Sequence, residues 1–494
     1  MTDSIQTSYP PFLGESKLFQ TGVQGQVSLH QWLVSGWETS ILGRLCIQTL
    51  ARNVQNADTN HASLWLGILP AIGILGILIG VTFLGTGVLG GLVLALGGFI
   101  LVASVVSGRN AWVKHPHLLD ALIILFFLTY AVSACFSSLQ PQAFIGFIKQ
   151  SIFLVAYLSF RSTWHHAPSL LRWGFPLLLL LGGIQAVIGW LQVHGYAGEL
   201  AGWTDANTPE ELKLNRVYGT LKPYNPNLLA AFFVASSGAG LWTLLQVATK
   251  PFRFVFPWLL VILGLTALVL YGVVMTGCRG AYLGVFVSML ALFMLSFPLL
   301  KTDTTLKEVK WLASAWMASS VLAIGAVAVV LFSSEKLMHR VTSIFAFRGD
   351  SSISYRMNVY ISAWRMFCDN WIFGIGPSNT VFKKVYGYYM TPGFNALGAY
   401  SVPLEILVEQ GILGFGVFLG IVGSVFQQMV QHLFDERKAL APKLSVLSLA
   451  VGLLAFMGHG FFDTVLYRPP IMLPFLFMLS ALVNFVSSDV DTNS

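Results

Sequence analysis

The chain has 494 residues, of which 55% are apolar and only 10% are charged, and its mean hydropathy is +0.72. Soluble globular proteins carry about 25% charged residues, so this composition excludes that class. The formal net charge of +7 does not indicate nucleic acid binding, because most Lys and Arg residues lie in short loops between apolar segments, as in membrane proteins. We therefore predict an all-α polytopic membrane protein that has the lipid bilayer as a partner and no nucleic acid partner.

The first 61 residues are polar and predict a cytoplasmic N-terminal segment. Within it, residues 29–50 combine apolar side chains with few charges, which is typical of an interfacial helix. No sustained apolar core opens the chain, so we expect insertion through internal spans and not through a cleaved signal peptide. Residues 62–487 are predicted to form a single transmembrane domain, and residues 488–494 a cytoplasmic tail.

About 12 transmembrane helices are predicted. Residues 62–108 contain no charge, which leaves room for two spans of about 20 residues each. Ten further apolar spans lie at 118–137, 144–160, 174–193, 228–248, 254–276, 281–300, 311–332, 402–430, 444–466 and 470–487. Backbone amides in lipid need partners within the segment, so these spans are predicted to be helices.

The loops between the spans differ in charge. Twelve Lys and Arg residues lie in the loops at 107–117, 161–173, 249–253, 301–310 and 431–443. Positively charged loops favour the cytoplasm, so these loops and both termini are predicted to be cytoplasmic. The loops at 194–227, 277–280, 333–401 and 467–469 then face the exterior.

The large extracytoplasmic loop at 333–401 carries seven cations and three acidic residues. Loops of this length are usually functional or disordered, and this one is too aromatic and apolar to be disordered. Between Ser351 and Trp371 the apolar positions keep a period near 3.6. This pattern predicts an amphipathic helix along the exterior interface, with Arg356 and Arg365 on its polar side.

The candidate substrate-binding residues lie on the predicted exterior side. They are Arg216, Lys222, Asn227, Arg279, Arg356, Tyr400, His459, Asp463 and Arg468. Arg279 lies in a tight turn with a glycine close on either side. An arginine there either anchors the helix ends at the lipid interface or binds phosphate, carboxylate or bicarbonate oxygens. The glycines favour the second interpretation, since they let the backbone approach an anion.

Glu405 and Glu409 are the candidate catalytic residues. They are spaced i, i+4 near the exterior end of a predicted span and share one helix face. One interpretation makes them counter-ions for Arg340, Arg356 or Arg279. The other assigns one of them as a general base.

His459, Asp463, Tyr467 and Arg468 are spaced i, i+4, i+8 and i+9, and we predict that they share the following helix. Ionisable residues inside spans are costly and indicate function, with a hydrogen-bonded His–Asp strut as the structural alternative. The four cysteines show no metal-binding spacing and are interpreted as small apolar residues. We expect no metal and no cofactor.

Two pairs of glycines, Gly76-x-x-x-Gly80 and Gly416-x-x-x-Gly420, are predicted to let helices approach each other closely. The chain shows no internal repeat, which counts against a rocking secondary transporter.

Four strings resemble, in the same order, motifs of the O-antigen ligase and polymerase superfamily. They are Tyr218-Gly-Thr-Leu…Asn225-Pro-Asn-Leu-Leu-Ala230, Thr276-Gly-Cys-Arg-Gly-Ala-Tyr-Leu-Gly284, the segment from Arg356 to Pro377, and the segment from Leu404 to Gly414. The resemblance covers residues 215–480 and implies a fold like that of the lipid-dependent (GT-C-type) glycosyltransferases. It also implies a metal-independent enzyme that joins a polyprenyl-diphosphate-linked glycan to an acceptor, with Arg216 and Arg279 holding the diphosphate.

Three further strings are similar to one branch, the IctB-type cyanobacterial family linked to inorganic-carbon (bicarbonate) accumulation. They are Ser352-Ile-Ser-Tyr-Arg, Ala399-Tyr-Ser-Val-Pro-Leu-Glu and His459-Gly-Phe-Phe-Asp-Thr-Val-Leu-Tyr-Arg-Pro-Pro. This resemblance implies a protein of the cell membrane that supports bicarbonate accumulation.

One position departs from the ligase pattern. Tyr400 stands where the ligases carry a His that is proposed to act on the acceptor, and a Tyr with a pKa of about 10 is a poor base at neutral pH. Two functional hypotheses follow: support of inorganic-carbon accumulation through an extracytoplasmic anion site, or transfer of a lipid-linked glycan. A third is a relative that binds a lipid diphosphate without catalysis.

Overall fold

The computed structural model describes residues 64–107, 117–196, 215–248, 252–302, 335, 338, 351–435 and 438–487, and these residues are mostly helical. The longer helices are α1 (Leu69–Gly80), α2 (Thr86–Ser107), α3 (Leu118–Phe136), α4 (Gln140–His166), α5 (Gly174–Val193), α6 (Pro226–Ala248), α7 (Phe252–Met275), α8 (Arg279–Thr302), α9 (Ser351–Asp369), α10 (Asn379–Tyr386), α11 (Val402–Phe434), α12 (Leu440–Gly460) and α13 (Pro469–Ser487). Short helical segments lie at Leu64–Ile68, Pro168–Leu171 and Val465–Tyr467.

Ten helical segments in this part of the chain are long and apolar enough to cross a membrane. The predicted all-α, multi-pass membrane architecture is therefore confirmed. The shorter apolar helix Leu64–Gly80 coincides with one more predicted span. The predicted span at 311–332 and the predicted interfacial helix at 29–50 lie outside the described residues.

The predicted sidedness can be measured with reporter fusions at two exposed positions, Ala439 before α12 and Tyr388 after α10. Because the basic short loops are predicted to be cytoplasmic, a reporter at Ala439 should lie in the cytoplasm and one at Tyr388 outside it. Paired phosphatase and fluorescent-protein fusions at each position measure this directly. The same compartment for both positions would contradict the predicted map.

Glycines allow α12 to cross two helices closely. A Cβ atom built on Gly238 of α6 would lie 3.0 Å from Cα of Gly452, and one built on Gly458 would lie 3.1 Å from Cα of Gly284 in α8. Contacts this short leave no room for a side chain. The crossing of α8 and α12 places the start of α8 against the end of α12, where polar residues gather.

Three of the four glycines in the predicted pairs make no close contact with another helix. Cβ atoms on Gly76 and Gly416 would meet no atom within 4 Å, and one on Gly420 would only touch Leu122 at 3.7 Å. Gly80 is buried, and a Cβ atom on it would lie 3.3 Å from the Leu89 side chain of α2. The prediction of close helix approach is therefore wrong for Gly416 and Gly420, and in the first pair only Gly80 faces a neighbouring helix. The spacing alone cannot tell which glycines face a neighbouring helix: the α8–α12 crossing uses a different pair with the same spacing, Gly280 and Gly284.

Helix α11 is interrupted at Gly411. Pro403 lies in its first turn, as its sequence position predicts, and Ser401 precedes the helix. Gly411 has φ 65° and ψ −163°, a conformation that is essentially restricted to glycine. The break divides α11 into two parts. The short part at the end of the bundle, residues 402–410, contains both candidate glutamates, and we call it the outer part of α11.

The backbone of the segment after α9, residues 371–376, forms hydrogen bonds with α11 at this break. Three hydrogen bonds join the two segments, from Ile375 N to Val408 O (2.8 Å), from Gly376 N to Glu409 O (3.1 Å) and from Ile412 N to Trp371 O (2.8 Å). Helix α3 adds Ser133 Oγ, which donates to Glu409 O at 2.5 Å, and Ser137 Oγ, which donates to Ile375 O at 2.6 Å. The backbone groups that the break releases are thereby satisfied, as burial in an apolar environment demands.

Helix α9 confirms the predicted helix after Ser351, and it has two apolar faces. Val359, Ala363 and Met366 are buried against the protein. Ile361 and Trp364 lie on another face and are 40% and 53% exposed. The outward face is what a helix at a membrane interface would present.

Candidate functional site

Five segments meet at one end of the helical bundle. They are residues 215–227 before α6, the turn 276–278 between α7 and α8, helix α9, residues 398–401 before α11, and residues 461–468 between α12 and α13. A backbone hydrogen bond from Val217 N to Met275 O (3.4 Å) links the first two. Most of the predicted site residues lie on these segments.

A chain of polar contacts joins four of the predicted residues. The Arg216 guanidinium donates from Nε to the Thr276 carbonyl (2.8 Å) and from Nη2 to Asn227 Oδ1 (2.6 Å). Asn227 Nδ2 donates to Asp463 Oδ2 at 2.7 Å, and Arg356 Nη2 lies 3.6 Å from the same oxygen. Two arginines from distant segments thus converge on one amide–carboxylate pair, and we call these four residues the polar cluster.

A backbone contact anchors one edge of the polar cluster, and its side chains remain partly exposed to solvent. Arg356 Nη1 also donates to the Phe462 carbonyl at 2.7 Å, which fixes the guanidinium beside the turn that follows α12. The side chains of Arg356 and Asp463 are 23% and 13% exposed. An anion could therefore reach the arginines without a rearrangement of the bundle.

The other predicted cations lie at different distances from this cluster. Arg279 is the first residue of α8 and is partly buried, and it follows a turn in which Gly277 takes a positive φ of 62°. Arg468 is exposed, and its charge acts on Glu405. Lys222 is exposed before α6 and is not among the partners of the polar cluster.

The predicted helix that would carry His459, Asp463, Tyr467 and Arg468 ends earlier than expected. Helix α12 stops at Gly460, where a turn closed by Phe462 N and His459 O (3.0 Å) replaces it. Asp463 lies in this turn, where it contacts Asn227 and Arg356, and not His459. The predictions of a shared helix and of a His–Asp strut are both wrong, because Asp463 is held by partners from α6 and α9.

His459 instead faces Cys278. His459 is fully buried, and its Nε2 lies 3.5 Å from the Cys278 Sγ atom in the turn before α8. Burial raises the pKa of the thiol, but the His459 imidazole and the Arg216 guanidinium outweigh it and lower this pKa to about 7. Cys278 is buried, as expected of a small apolar residue, but the interpretation of the cysteines did not anticipate its contact with an imidazole. Among the described residues, no group of three or more His, Cys, Asp or Glu side chains could hold a metal ion.

Tyr400 lies in the loop before α11 with a positive φ of 51°. Its carbonyl accepts a hydrogen bond from the Tyr360 hydroxyl at 3.1 Å, and its ring centroid lies 5.8 Å from that of Tyr355. Burial, reinforced by Tyr355, raises the pKa of the Tyr400 phenol well above its ordinary value. At neutral pH this hydroxyl is therefore a hydrogen-bond donor and not a base.

The two glutamates bind backbone amides. The Ala399 N–H donates to Glu405 Oε2, and the Ser378 N–H donates to Glu409 Oε1 at 3.1 Å. Both carboxylates are buried. Arg356 pairs with Asp463 and the Phe462 carbonyl instead, so the counter-ion interpretation is wrong for Arg356. It stays a prediction for Arg279, and Arg340 lies outside the described residues. Each carboxylate fixes a loop beside α11.

Substitutions of Glu409 can distinguish its two remaining roles, which are hydrogen bonding to a loop and proton transfer. Glu409→Gln keeps an oxygen for the Ser378 N–H, so it should change the free energy of unfolding by less than about 1 kcal/mol, whereas Glu409→Ala should cost about 1–3 kcal/mol. Thermal unfolding in detergent measures both. If Glu409 is also a base, the Gln variant should fold normally and bind substrate without turnover. Full turnover by a well-folded Gln variant would exclude that role.

An apolar cavity of about 400 Å³ lies next to the glutamates. Helices α3, α11, α12 and α13 line it, and the ring of Tyr467 forms part of its wall. The Tyr467 hydroxyl lies 3.4 Å from that of Tyr130 and interacts electrostatically with Glu409. The cavity therefore ends at polar groups close to the outer part of α11.

Sequence reasoning missed several residues that the structure places here. Thr276 offers its carbonyl to Arg216, Cys278 faces His459, and Tyr467 lines the apolar cavity and interacts electrostatically with Glu409. Thr276 and Cys278 lie in the same Thr276–Gly284 motif that marked Arg279 as a candidate, so this motif could have indicated both residues. No local pattern marks Tyr467 as a wall of a cavity.

Residues 263–419 match the family model described as O-antigen ligase. The match covers less than half of the chain, and it contains Arg279, Arg356, Tyr400 and both glutamates. It supports the resemblance to the O-antigen ligase superfamily for this part of the chain. No curated protein matches the chain. The narrower resemblance to the bicarbonate-linked branch stays a prediction.

Proposed function

We propose that this membrane protein transfers a glycan from a polyprenyl diphosphate carrier to an acceptor. The observation that carries the proposal is the convergence of Arg216 and Arg356 on the Asn227–Asp463 pair, next to the turn that begins α8 at Arg279. The match of residues 263–419 to the O-antigen ligase family supports it.

The arginines suit a diphosphate, because a guanidinium can meet two oxygens at once with charge-assisted hydrogen bonds. When the glycan leaves the carrier, negative charge grows on the diphosphate oxygens. Fixed guanidinium groups beside those oxygens stabilise this charge more than they stabilise the ground state, and that difference accelerates the reaction. No metal ion is required for this effect.

The apolar cavity suits the isoprenoid part of such a carrier. It is lined almost entirely by apolar side chains, among them Phe126, Phe418 and Met457, and it ends at Tyr467. A carrier with its chain in the cavity would place its polar head near the outer part of α11 and the residues that follow α12. The volume of about 400 Å³ would hold the head-proximal part of a long isoprenoid.

The acceptor must lose a proton during transfer, and Tyr400 cannot take it as a neutral phenol. Glu405 and Glu409 remain the candidate bases within the outer part of α11. Each uses one oxygen for a backbone N–H. Glu409 is buried, and its carboxylate interacts with the Tyr467 hydroxyl at the wall of the apolar cavity. We favour Glu409 over Glu405 because this places it beside the proposed carrier site.

A second candidate function is support of bicarbonate accumulation at the cell membrane. It is favoured by Tyr400, whose raised pKa removes a base at the position where ligases carry His. The arginines of the polar cluster would then bind a small anion, with no glycan transferred. On the predicted topology the site would lie outside the cytoplasm.

One pair of assays on purified protein separates these functions. Transfer of sugar from a synthetic polyprenyl diphosphate donor, measured by loss of donor and release of polyprenyl diphosphate, supports the first. Labelled bicarbonate uptake into liposomes that contain the protein supports the second. Donor binding without release, and without bicarbonate flux, would contradict both and indicate a relative that only binds a lipid diphosphate.

A further inference from the structure

We propose that Cys278 is a modification site, a thiolate that small hydroperoxides oxidise to a sulfenic acid, and that this oxidation displaces the turn carrying Arg279. The thiol chemistry does not depend on which substrate the polar cluster binds. Three features of the structure support it: the position of Cys278 at a helix start, its pairing with a buried imidazole, and the tight packing around that pair.

Cys278 is the residue from which α8 begins. Its carbonyl accepts hydrogen bonds from Ala281 N and Tyr282 N, both at 3.1 Å, and these are the first bonds of the helix. The start of a helix carries a partial positive charge that favours an anion. A thiolate is therefore stabilised by its position before any side chain is considered.

The imidazole of His459 is the direct partner of the sulfur. Its Nε2 lies 3.5 Å from Sγ, while its Nδ1 is buried without a hydrogen-bond partner among the described residues. A proton shared between Nε2 and Sγ lets the pair exist as thiolate and imidazolium, as in cysteine nucleophiles activated by histidine. The pair is thus a nucleophilic arrangement and not an isolated cysteine.

The charges that face this pair come from each neighbouring segment. Arg216 from the segment before α6 favours the thiolate, and Asp463 from the segment after α12 opposes it. His459 from α12 gives the largest favourable contribution, and the balance lowers the pKa of the thiol to about 7. The thiolate form of Cys278 is therefore accessible near neutral pH.

The sulfur is nearly enclosed, so the proposal is confined to an oxidant as small as hydrogen peroxide. Cys278 is 4% exposed, and the next residue, Arg279, is partly buried at the edge of the site. Hydrogen peroxide is close to water in size. The thiolate sulfur attacks one peroxide oxygen, an S–O bond forms as the O–O bond breaks, and hydroxide leaves and takes a proton to become water. The sulfur loses two electrons and the peroxide gains them.

The packing leaves little space for the added oxygen. A Cβ atom built on Gly280 would lie 3.0 Å from Cδ2 of His459, and one built on Gly284 would lie 2.7 Å from the Ala455 carbonyl. The start of α8 therefore rests directly on α12. On this proposal, an oxygen added to Sγ on the side of the imidazole crowds Nε2, 3.5 Å away, and shifts this turn and Arg279 away from His459.

The test follows oxidation of individual cysteines in the intact purified protein. Peroxide is added at pH 6, 7 and 8, sulfenic acid is trapped with dimedone, and the peptides are quantified by mass spectrometry. We expect trapping at Cys278 to rise with a midpoint near pH 7. The internal reference is Cys368, which is exposed. Trapping at Cys278 that rises only above pH 8, or is absent while Cys368 reacts, would overturn the proposal.

Variants test separately the role of His459 in activating the thiol and the displacement of the turn by oxidation. His459→Gln should slow trapping at Cys278 at least about 10-fold at pH 7 and leave Cys368 unchanged, since burial raises the pKa of the thiol once the opposing imidazole is removed. An unchanged rate would remove the role of the pair. Peroxide should lower the melting temperature of the wild type and not that of Cys278→Ser, which also controls for methionine oxidation. An equal fall in both would refute the displacement of the turn.

Discussion

Gly411→Ala is expected to destabilise the protein by roughly 3 kcal/mol or more. Gly411 combines φ 65° with ψ −163°, which an L-residue adopts only at a cost of about 1–3 kcal/mol. In addition, a Cβ atom there would lie 2.3 Å from the Ile372 carbonyl oxygen, which belongs to the backbone and cannot rotate away. The substitution therefore forces apart the segment that fills the break in α11.

Gly416→Ala is the matched control in the same helix. Gly416 is exposed, and a Cβ atom built on it would meet nothing within 4 Å, so alanine should be neutral or stabilising by up to about 1 kcal/mol. Melting temperatures of the three proteins in the same detergent provide the comparison. Equal stability of the two alanine variants would show that the break does not require glycine.

Arg279→Lys should reduce donor binding or transfer by roughly 10- to 100-fold, and Arg279→Ala by more than about 100-fold. Lysine keeps the charge but meets phosphate oxygens as a point charge, so charge-assisted hydrogen bonds worth about 1.5–3 kcal/mol each are lost. The proposed diphosphate site predicts this order. An anchor at the lipid interface would tolerate lysine, because both side chains can extend toward polar surroundings.

Arg365→Lys provides the control for this series. Arg365 is exposed on α9 and takes no part in the polar cluster, so its variant should keep wild-type activity. Activity is measured per folded molecule, with folding checked by size-exclusion profile and melting temperature. An Arg279→Lys protein with wild-type activity, beside an Arg279→Ala protein that is only less stable, would assign Arg279 a structural role.

Hydropathy predicted most of the membrane-crossing helices. Each such helix forms its backbone hydrogen bonds within one continuous segment, so the local sequence is enough to indicate it. The start of α11 at Pro403 and the helix after Ser351 followed from local rules in the same way. The break at Gly411 did not, although Gly374, Gly376 and Gly411 are visible in the sequence. Its geometry depends on hydrogen bonds between two segments that local patterns cannot pair.

The candidate site was predictable as a set of residues but not as a set of contacts. Asn227 and Asp463 are separated by 236 positions, and Cys278 and His459 by 181. Helical spacing suggested that Asp463 would partner His459, four residues earlier. The structure ends α12 between them because the Asp463 side chain contacts Asn227 and Arg356.

The break in α11 also has a consequence for biogenesis. A complete helix can enter the bilayer alone, but α11 has carbonyl groups at Val408 and Glu409 that no donor within the helix satisfies, and such groups are costly in hydrocarbon. Their donors, Ile375 and Gly376, precede α11 and leave the ribosome first. The segment after α9 thus acts as an insertion partner for α11, and the order of synthesis provides it before it is needed.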